Sequence, residues 1–377
     1  MILSPASITL LRRLTIAAVI CLSPAYGHDL PLEQLNLPDG FEISVWAEVT
    51  NPRQLAINPD GVIFAGSRRA GNVYALIDKD RDQFAEKKII IDSGLSQPTG
   101  VAYHEGDLYV GAINRLLVYR NIDTLLEEPP ARETIYDELP KDLHHGWKFI
   151  DFGPDDQLYF NVGAPCNVCL KDDERFASIM RLDPLEPEPE VFAHGVRNSV
   201  GFTWHPETHK LWFTDNGRDH LGDDLPPCEL NVADRKGLHF GFPYIHGQRI
   251  SDPKFGNKNN TRNYVPPAME LGAHVAPLGL IFYQGLMLPT GLRGQLLIAE
   301  HGSWNRSQNA GQVGYRITLA RDDGSDNMIY ETLIDGWLDG EAAWGRPVDL
   351  LEMDDGSLLI SDDTGNVIYR LTYSAQP

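Results

Sequence analysis

The stretch RPVDLLEMDDGSLLISDDTGNVIYRL, residues 346–371, contains the pattern that decides the fold. Two apolar runs flank an Asp-Asp-Gly turn, and a third apolar run follows a second turn that contains glycine. Glycine supplies the positive φ that a tight antiparallel hairpin requires. This stretch therefore predicts three strands of one antiparallel sheet.

The same pattern occurs six times along the chain. The copies begin at Pro52, Pro98, His145, Arg197, Pro277 and Arg346. Six such repeats predict an all-β, six-bladed β-propeller whose blades are four-stranded antiparallel sheets. The early strand Phe41–Trp46 lies outside the first copy and is a candidate to pair with the last blade and close the ring. A β-sandwich is the alternative, and it does not explain the repeats.

The N-terminus has the residue order of a secretory signal peptide. Its positive, apolar and small-x-small parts are Arg12-Arg13, Leu14–Leu22 and Ala25-Tyr26-Gly27. The apolar run is too short for a stable membrane span, although a buried N-terminal helix is the alternative. We expect residues 1–27 to be cleaved. Residues 28–377 would then form a single propeller domain, periplasmic or secreted, with no membrane span.

The charge of the chain excludes two classes of partner. The 32 Lys and Arg residues are outnumbered by 53 Asp and Glu, which gives a formal net charge of −21. Nucleic acids and anionic membrane surfaces both require a basic face. An acidic protein can still bind an anionic ligand, but only through a local cluster of arginines, a metal or backbone N–H groups.

One segment, 219–274, interrupts the repeats and is rich in Gly, Pro, Asn and charge. We expect a long loop insertion from the fourth blade or the start of the fifth, because long loops on a rigid scaffold often form a site or a lid.

Three cysteines follow the signal segment, namely Cys166, Cys169 and Cys228. No His follows the Cys-x-x-Cys pair, so covalent haem attachment is not indicated, and the spacing does not favour zinc. The spacing leaves open either a local disulfide or a cross-link to Cys228. Our hypothesis is the local pair, Cys166 with Cys169.

Three polar residues occupy similar places in different repeats. His145, Arg197 and Arg346 each precede the first apolar strand of a copy. Equivalent positions of a propeller gather around one axis. These three therefore predict a pocket with one base and two cations. The alternatives are that the arginines pair with carboxylates between blades, and that His144 rather than His145 points inward.

A second set of residues follows the next strand of each repeat and is rich in Gly, Asn and Asp. Such loops suit calcium, which prefers oxygen ligands, but the same residues are ordinary turn formers. Asp78-Lys-Asp80-Arg-Asp82 with Glu86 resembles half of a calcium loop, with Gln83 where such loops have Gly.

Five segments together resemble the soluble sugar dehydrogenases that use pyrroloquinoline quinone (PQQ), the glucose/sorbosone dehydrogenase family. They are HHGWKFIDFGPDDQLYFNVGAPCNVC, GVRNSVGFTWHPETHKLWFTDNGRDHLGDDLPPCELN, GLHFGFPY, IAEHGSWNRS and GRPVDLL. The resemblance covers nearly all of the chain that follows the signal segment. It implies a six-bladed propeller that binds PQQ and Ca²⁺.

The resemblance also implies roles for individual residues. It makes His145 the general base on the substrate hydroxyl. Arg197 and Asn198 would contact the cofactor, where Arg197 would polarise the reactive carbonyl. The backbone carbonyls of Gly217 and Arg218 would hold Ca²⁺.

Two further arginines are implied as cofactor ligands. Arg346 would hold a cofactor carboxylate, and Arg306 is a candidate substitute for the family's cofactor-binding lysine. Val348 stands where glucose-type members have a second arginine.

The function implied is oxidation of an aldose or related, sorbosone-like sugar by hydride transfer to PQQ. An external electron acceptor, a quinone or a cytochrome, would then reoxidise the cofactor. The alternatives are a calcium-dependent propeller hydrolase resembling a lactonase and a non-catalytic propeller that binds a sugar or a protein.

Overall fold

Six antiparallel sheets follow one another along the chain in the computed structural model, which describes residues 30–258, 263–322 and 328–375. They are the blades of a six-bladed propeller, so the predicted fold class is confirmed. The first strands contact one another between blades 1 and 2, 2 and 3, 4 and 5, 5 and 6, and 6 and 1. The predicted signal peptide lies outside the described residues.

Each blade has four strands. Blade 1 contains Pro52–Ile57, Ile63–Ser67, Val73–Ile77 and Lys87–Asp92. Blade 2 contains Gly100–His104, Asp107–Ala112, Arg115–Tyr119 and Glu133–Tyr136. Blade 3 contains Ile150–Phe152, Leu158–Val162, Ser178–Asp183 and Glu186–His194, and a short fifth strand, Leu238–His239, runs parallel to the last of these.

The remaining blades follow the same plan. Blade 4 contains Phe202–Trp204, Leu211–Asp215, Pro227–Ala233 and Met269–Ala273. Blade 5 contains Pro277–Phe282, Leu296–Glu300, Arg316–Asp322 and Met328–Ile334. Blade 6 contains Pro347–Glu352, Leu358–Asp362, Val367–Tyr373 and the N-terminal strand Phe41–Glu48.

Short elements decorate the blades. Two-stranded ribbons are formed by Ile245–His246 with Ile250–Ser251 and by Leu338–Asp339 with Ala342–Ala343. The helices are short 3₁₀ turns at Leu32–Gln34, Ile122–Thr124, Gly256–Lys258 and Thr290–Leu292. Within the described residues, no helix is long and apolar enough to cross a membrane.

The turns confirm the hairpin interpretation. Gly61 and Gly356, which follow aspartates in blades 1 and 6, have φ of 80° and 82°. At Gly356 a Cβ would also lie 2.8 Å from the backbone nitrogen of Met287. Glycine is therefore required there both for its backbone angle and for the close approach of another segment.

The N-terminal strand closes the ring, as predicted. Phe41–Glu48 pairs antiparallel with Val367–Tyr373 and forms the fourth strand of blade 6. Trp46 is 1 % exposed and packs in an apolar cluster with Leu359 and Ile63, which belong to blades 6 and 1. Closure of the ring therefore gives the edge of blade 6 a hydrogen-bonded partner strand and also buries the large side chain of Trp46.

The core is divided among the blades. Among the described residues, each junction between neighbouring blades buries its own apolar cluster, so the core forms a ring of clusters. A smaller cluster contains Leu278 and Val348, from the first strands of blades 5 and 6, and Val200, which lies just before the first strand of blade 4. Trp147 packs against it.

The segment 219–274 is more regular than the sequence suggested. It contains the third and fourth strands of blade 4, so the excursion proper is 234–268. The third strand of blade 4 lacks the apolar pattern that identifies strands, because its buried residues Glu229 and Asn231 are polar.

Candidate functional site

A cavity of about 590 Å³ is lined by residues from all six blades or from the loops that precede them. In an antiparallel blade, the start of the first strand and the end of the second lie at the same edge of the sheet. The cavity therefore collects residues from these positions. Those predicted from the sequence are His145, Arg197, Asn198, Gly217 and Arg346, and the structure brings all five together here.

His145 is held as a neutral base. Its Nδ1 lies 2.8 Å from the carbonyl oxygen of Ala164, which can only accept, so Nδ1 carries the proton and Nε2 is left as the acceptor. Burial, and then the positive charge of Arg197, hold the pKa of His145 well below its usual 6.5. Since His145 lines the cavity, it can accept a proton from a ligand there.

The backbone around His145 is closely packed. His145 has φ of 54°, and a Cβ at Gly163 would lie 2.6 Å from both the Cβ and the carbonyl oxygen of His145. His144 is exposed at the rim, with its ring centroid 4.0 Å from that of His145. Of the two histidines, His145 is thus the buried one.

The Arg197 guanidinium is fixed by surrounding oxygens. Its Nε and Nη2 donate to the backbone carbonyl and Oδ1 of Asn167, at 2.9 and 3.0 Å. Its Nη1 donates to the carbonyl of Asn216 at 3.1 Å, and Asp219 lies 3.3 Å from Nη2. Burial lowers the pKa of Arg197, although Asp219 and Asp215 oppose this.

Asn198 presents an unpartnered oxygen. The backbone N–H groups of Arg197 and Asn198 donate to the carboxylate of Asp215 at 2.7 and 2.6 Å, which fixes the position of both residues. The Oδ1 of Asn198 is buried and has no hydrogen-bond partner. A ligand in the cavity could supply one.

The loop that holds Arg197 is closed by a disulfide. Cys166 and Cys169 are bonded, as hypothesised, while Cys228 is free and buried. Asn167 lies inside this four-residue ring. The disulfide thus fixes the residue that receives two of the Arg197 hydrogen bonds.

Arg346 supports the far wall of the cavity. Its Nε donates to the carbonyl of His301 at 2.9 Å, and its Nη2 donates to the carbonyls of Gly302 and Ser303 at 2.8 and 3.0 Å. The guanidinium also lies over the ring of Tyr315, 5.1 Å from its centroid.

Sequence reasoning did not single out Arg53. Its Nη1 lies 2.9 Å from Asp363, and its Nε is buried without a partner. Pro52 and Pro347 begin equivalent strands, so Arg53 occupies in blade 1 the position of Val348 in blade 6. Aligning the repeats on these prolines could have identified Arg53 as a cavity arginine at the position where blade 6 has Val348.

A second histidine lies across the cavity. His301 Nε2 is 2.8 Å from Asp363, the carboxylate that also pairs with Arg53. Burial lowers the pKa of His301 to about 4, so its ring is neutral at neutral pH. Burial opposes ionisation of Asp363, but His301 and Arg53 outweigh it and lower the pKa of Asp363 below its usual value.

Arg68 and Trp147 form the wall beside His145. The Arg68 guanidinium lies 4.1 Å from the centroid of the Trp147 ring, and the His145 ring meets Trp147 edge to face at 5.7 Å. Arg68, His301 and Asp363 each follow the second strand of a blade. They belong to the second set of repeat residues, for which the sequence indicates turn formers or calcium ligands and no role for Arg68.

Two predicted residues lie away from the cavity lining. Arg306 Nη1 and Nε donate to the carbonyls of Asp223 and Gly311, at 2.6 and 2.7 Å. Arg218 is paired with Asp252 at 2.5 Å. The structure therefore uses both guanidinium groups to tie loops together.

Buried acids lie behind Gly217 and Arg218. Asp215 and Glu229 are buried and lie opposite one another on adjacent strands of blade 4, and Glu229 also lies opposite Glu270, which is exposed. Burial, and then Asp215, raise the pKa of Glu229 to about 8, and burial raises the pKa of Asp215 to about 6. Carboxylates opposite one another repel unless a proton or a cation lies between them.

These acids share their site with another oxygen. The Oδ1 of Asn231 is buried without a partner. Together with the carbonyls of Gly217 and Arg218, this oxygen set could hold a divalent cation.

A separate acidic group lies on an exposed loop of blade 1. Carboxylate oxygens of Asp78, Asp80 and Glu86 lie within 4.8 Å of one another. These are the residues of the half calcium loop seen in the sequence. They do not line the cavity.

Comparison with known proteins identifies a matching family and a relative of similar length. A family model described as Glucose / Sorbosone dehydrogenase matches residues 102–303. An uncharacterized protein of Borreliella burgdorferi is 36% identical over 357 residues, which are 90% of this chain and 91% of the relative.

Two solved structures have the same fold. The calcium structure of a Trichoderma reesei protein of carbohydrate-active enzymes family AA12 is 19% identical with a TM-score of 0.76, and the match covers 90% of this chain and 97% of that one. The PQQ-bound aldose sugar dehydrogenase of Streptomyces coelicolor is 18% identical with a TM-score of 0.63, and the match covers 90% and 100%.

Proposed function

This chain belongs to the glucose/sorbosone dehydrogenase family, and from this premise we propose that it oxidises an aldose or related, sorbosone-like sugar with PQQ and Ca²⁺ as cofactors. An external electron acceptor, a quinone or a cytochrome, would complete the cycle. We also propose that the protein is exported to the periplasm or secreted.

One observation carries the proposal. The cavity places a neutral histidine, His145, with its acceptor nitrogen free, beside the fixed cation of Arg197. Oxidation of a sugar hydroxyl requires that its proton leave to a base while hydride leaves from carbon. A nearby cation stabilises the negative charge that develops on the hydride acceptor.

The cavity has the size and chemistry for the cofactor. Its volume of about 590 Å³ falls in the range of small-molecule sites, roughly 300–1,000 Å³. It is lined by four guanidinium groups, those of Arg53, Arg68, Arg197 and Arg346, although the protein carries a net charge of −21. PQQ is a tricarboxylate ortho-quinone, and arginine binds carboxylates in a bidentate manner.

Unpartnered polar atoms also support a ligand. The Oδ1 of Asn198 and the Nε1 of Trp147 are buried without hydrogen-bond partners, and both residues line the cavity. When bound, PQQ would supply the electrophilic carbon that accepts hydride.

The proposed calcium site adjoins the cavity at Gly217. The carbonyls of Gly217 and Arg218, with the buried acids Asp215 and Glu229 behind them, provide the oxygen donors that Ca²⁺ prefers. A cation there would also relieve the repulsion between the two carboxylates.

Each cavity residue then has a definite task. His145 takes the hydroxyl proton at Nε2, while Ala164 fixes its ring. Arg197 would place its positive charge beside the cofactor, and Asn167 fixes its position. Trp304, 68% exposed at the rim, offers an aromatic face to a sugar ring.

The lining favours a dehydrogenase over a calcium-dependent hydrolase. A hydrolase of that kind needs several carboxylates and amides around an axial metal. Of the described residues that line the cavity, Asp219 is the acidic one, and it is paired with Arg197.

The test is dye-linked oxidation of aldoses by protein reconstituted with PQQ and Ca²⁺. We expect His145→Ala to lower kcat about 100- to 10,000-fold, the usual contribution of a general base. His144→Ala, at the exposed rim, is the matched control and should keep most of the activity. Full activity of His145→Ala would show that this histidine is not the base.

A further inference from the structure

Arg68 differs from the other arginines of the cavity. Its Nε contacts Gln97 Oε1 at 3.4 Å, a long hydrogen bond, and its guanidinium carbon lies over Trp147, 4.1 Å from the ring centroid. Among the described residues no carboxylate forms an ion pair with it.

Each of the other guanidinium groups has at least one short hydrogen bond or ion pair to the protein. Arg53 pairs with Asp363, Arg197 with Asn167 and Asp219, and Arg346 with three carbonyls. Arg68 is therefore the described cavity arginine that has neither an ion pair nor a hydrogen bond shorter than 3.4 Å.

The surroundings of Arg68 favour an anion. Burial, and then the charge of Arg53, lower the pKa of Arg68 to about 10, so it remains charged at neutral pH but is poorly solvated. A buried cation without a partner is unfavourable. A carboxylate placed on its free edge would satisfy both charge and hydrogen bonds.

Trp147 lies against the Arg68 guanidinium. A guanidinium stacked on a ring keeps its N–H groups in the plane parallel to the ring, where a planar carboxylate can meet two of them. Trp147 also contacts His145 edge to face at 5.7 Å. Arg68 and His145 therefore contact the same indole in the cavity wall.

We propose that Arg68, stacked on Trp147, is a carboxylate-binding subsite of the cavity beside His145. The inference rests on the proposed function, because the carboxylate belongs either to the quinone cofactor or to an acidic sugar such as a uronate. Both have the same recognition chemistry, and binding measurements separate them.

The experiment compares wild-type protein with Arg68→Gln, Arg68→Lys and Arg69→Gln. Arg69 is exposed and does not line the cavity, so Arg69→Gln is the control. PQQ binding to metal-stripped protein with added Ca²⁺ is followed by absorbance. Binding of glucuronate and of glucose is followed by calorimetry on the same proteins, without cofactor and again with saturating PQQ and Ca²⁺.

We expect Arg68→Gln to lower the affinity for one carboxylate ligand by about 10- to 100-fold, which is the usual loss when hydrogen bonds to a charged group are removed. Arg68→Lys should recover part of the affinity, because it keeps the charge but not the planar fork. Weaker PQQ binding assigns the carboxylate to the cofactor. Weaker glucuronate binding with unchanged glucose and PQQ binding assigns it to the substrate.

The proposal fails if Arg68→Gln binds PQQ and glucuronate as tightly as wild type, or if wild type binds neither ligand. Wild-type protein that does not bind PQQ but binds glucuronate through Arg68 would instead overturn the proposed function and leave the subsite standing.

Discussion

His145 shows how the fold prepares one residue for chemistry. The Ala164 carbonyl fixes the tautomer, burial keeps the ring neutral, and Gly163 leaves room for a backbone that no bulkier neighbour would permit. These three effects come from different segments, so the base exists only in the folded chain.

The low pKa of His145 predicts the acid limb of the pH profile. The neutral ring is the active form, so kcat/KM should be flat above the usual histidine value of 6.5 and fall at lower pH, with a midpoint below 6.5. The measurement is the pH dependence of kcat/KM for reconstituted protein. Arg69→Gln, an exposed change outside the cavity lining, should leave the midpoint in place. A wild-type midpoint at or above 6.5 would contradict the assignment.

Repeat alignment predicted part of the site. It placed His145, Arg197 and Arg346 at equivalent positions, and the structure gathers them in one cavity. Repeat alignment predicted no role for Arg53, because this arginine lies within a strand that was recognised by its apolar residues. Arg306 looked available in the sequence, but backbone carbonyls that only the fold brings near it occupy its guanidinium.

Among the elements, the disulfide loop acts on the site through Asn167. The bond between Cys166 and Cys169 encloses the residue that accepts from both Nε and Nη2 of Arg197. The sequence predicted this pair, but the contact with Arg197, 30 residues further along the chain, could not be seen in it.

Removal of this disulfide should therefore impair catalysis. We expect the double variant Cys166→Ser, Cys169→Ser to lose up to about 100-fold in kcat/KM, since small displacements of a positioning group have effects of that size. The assay is dye-linked turnover, with circular dichroism to verify the fold. Leu170→Ala, an exposed change on the same loop, should be nearly neutral, and equal activity of the double variant and wild type would refute a positioning role.

Blade 4 shows where element prediction is weakest. Its third strand, Pro227–Ala233, was expected to be loop because a cysteine, a glutamate and an asparagine interrupt the apolar pattern. The structure buries Glu229 and Asn231 beside the proposed calcium site. Strands that contribute residues to a functional site can lack the alternation of apolar and polar residues by which other strands are recognised.

For the whole molecule, closure of the ring depends on two distant parts of the chain. Phe41–Glu48 completes blade 6, and Trp46 fills the junction between blades 6 and 1. The repeats and this closure could be predicted from the sequence, because each of these strands shows a local pattern of apolar residues.

Trp46→Ala should destabilise the propeller by about 3–5 kcal/mol, the usual cost of removing a large buried aromatic side chain. Ser44→Ala changes an exposed residue of the same strand and should have little effect. Chemical denaturation measures both. Equal stability of the two variants would show that this junction does not hold the ring closed.

The central claim is that this acidic propeller gathers arginines and a base around a PQQ molecule held with calcium. The most direct measurement is titration of purified, metal-stripped protein with PQQ, with and without Ca²⁺, followed by absorbance. The account predicts tight binding that requires calcium. Absence of binding at micromolar PQQ in the presence of Ca²⁺ would contradict it.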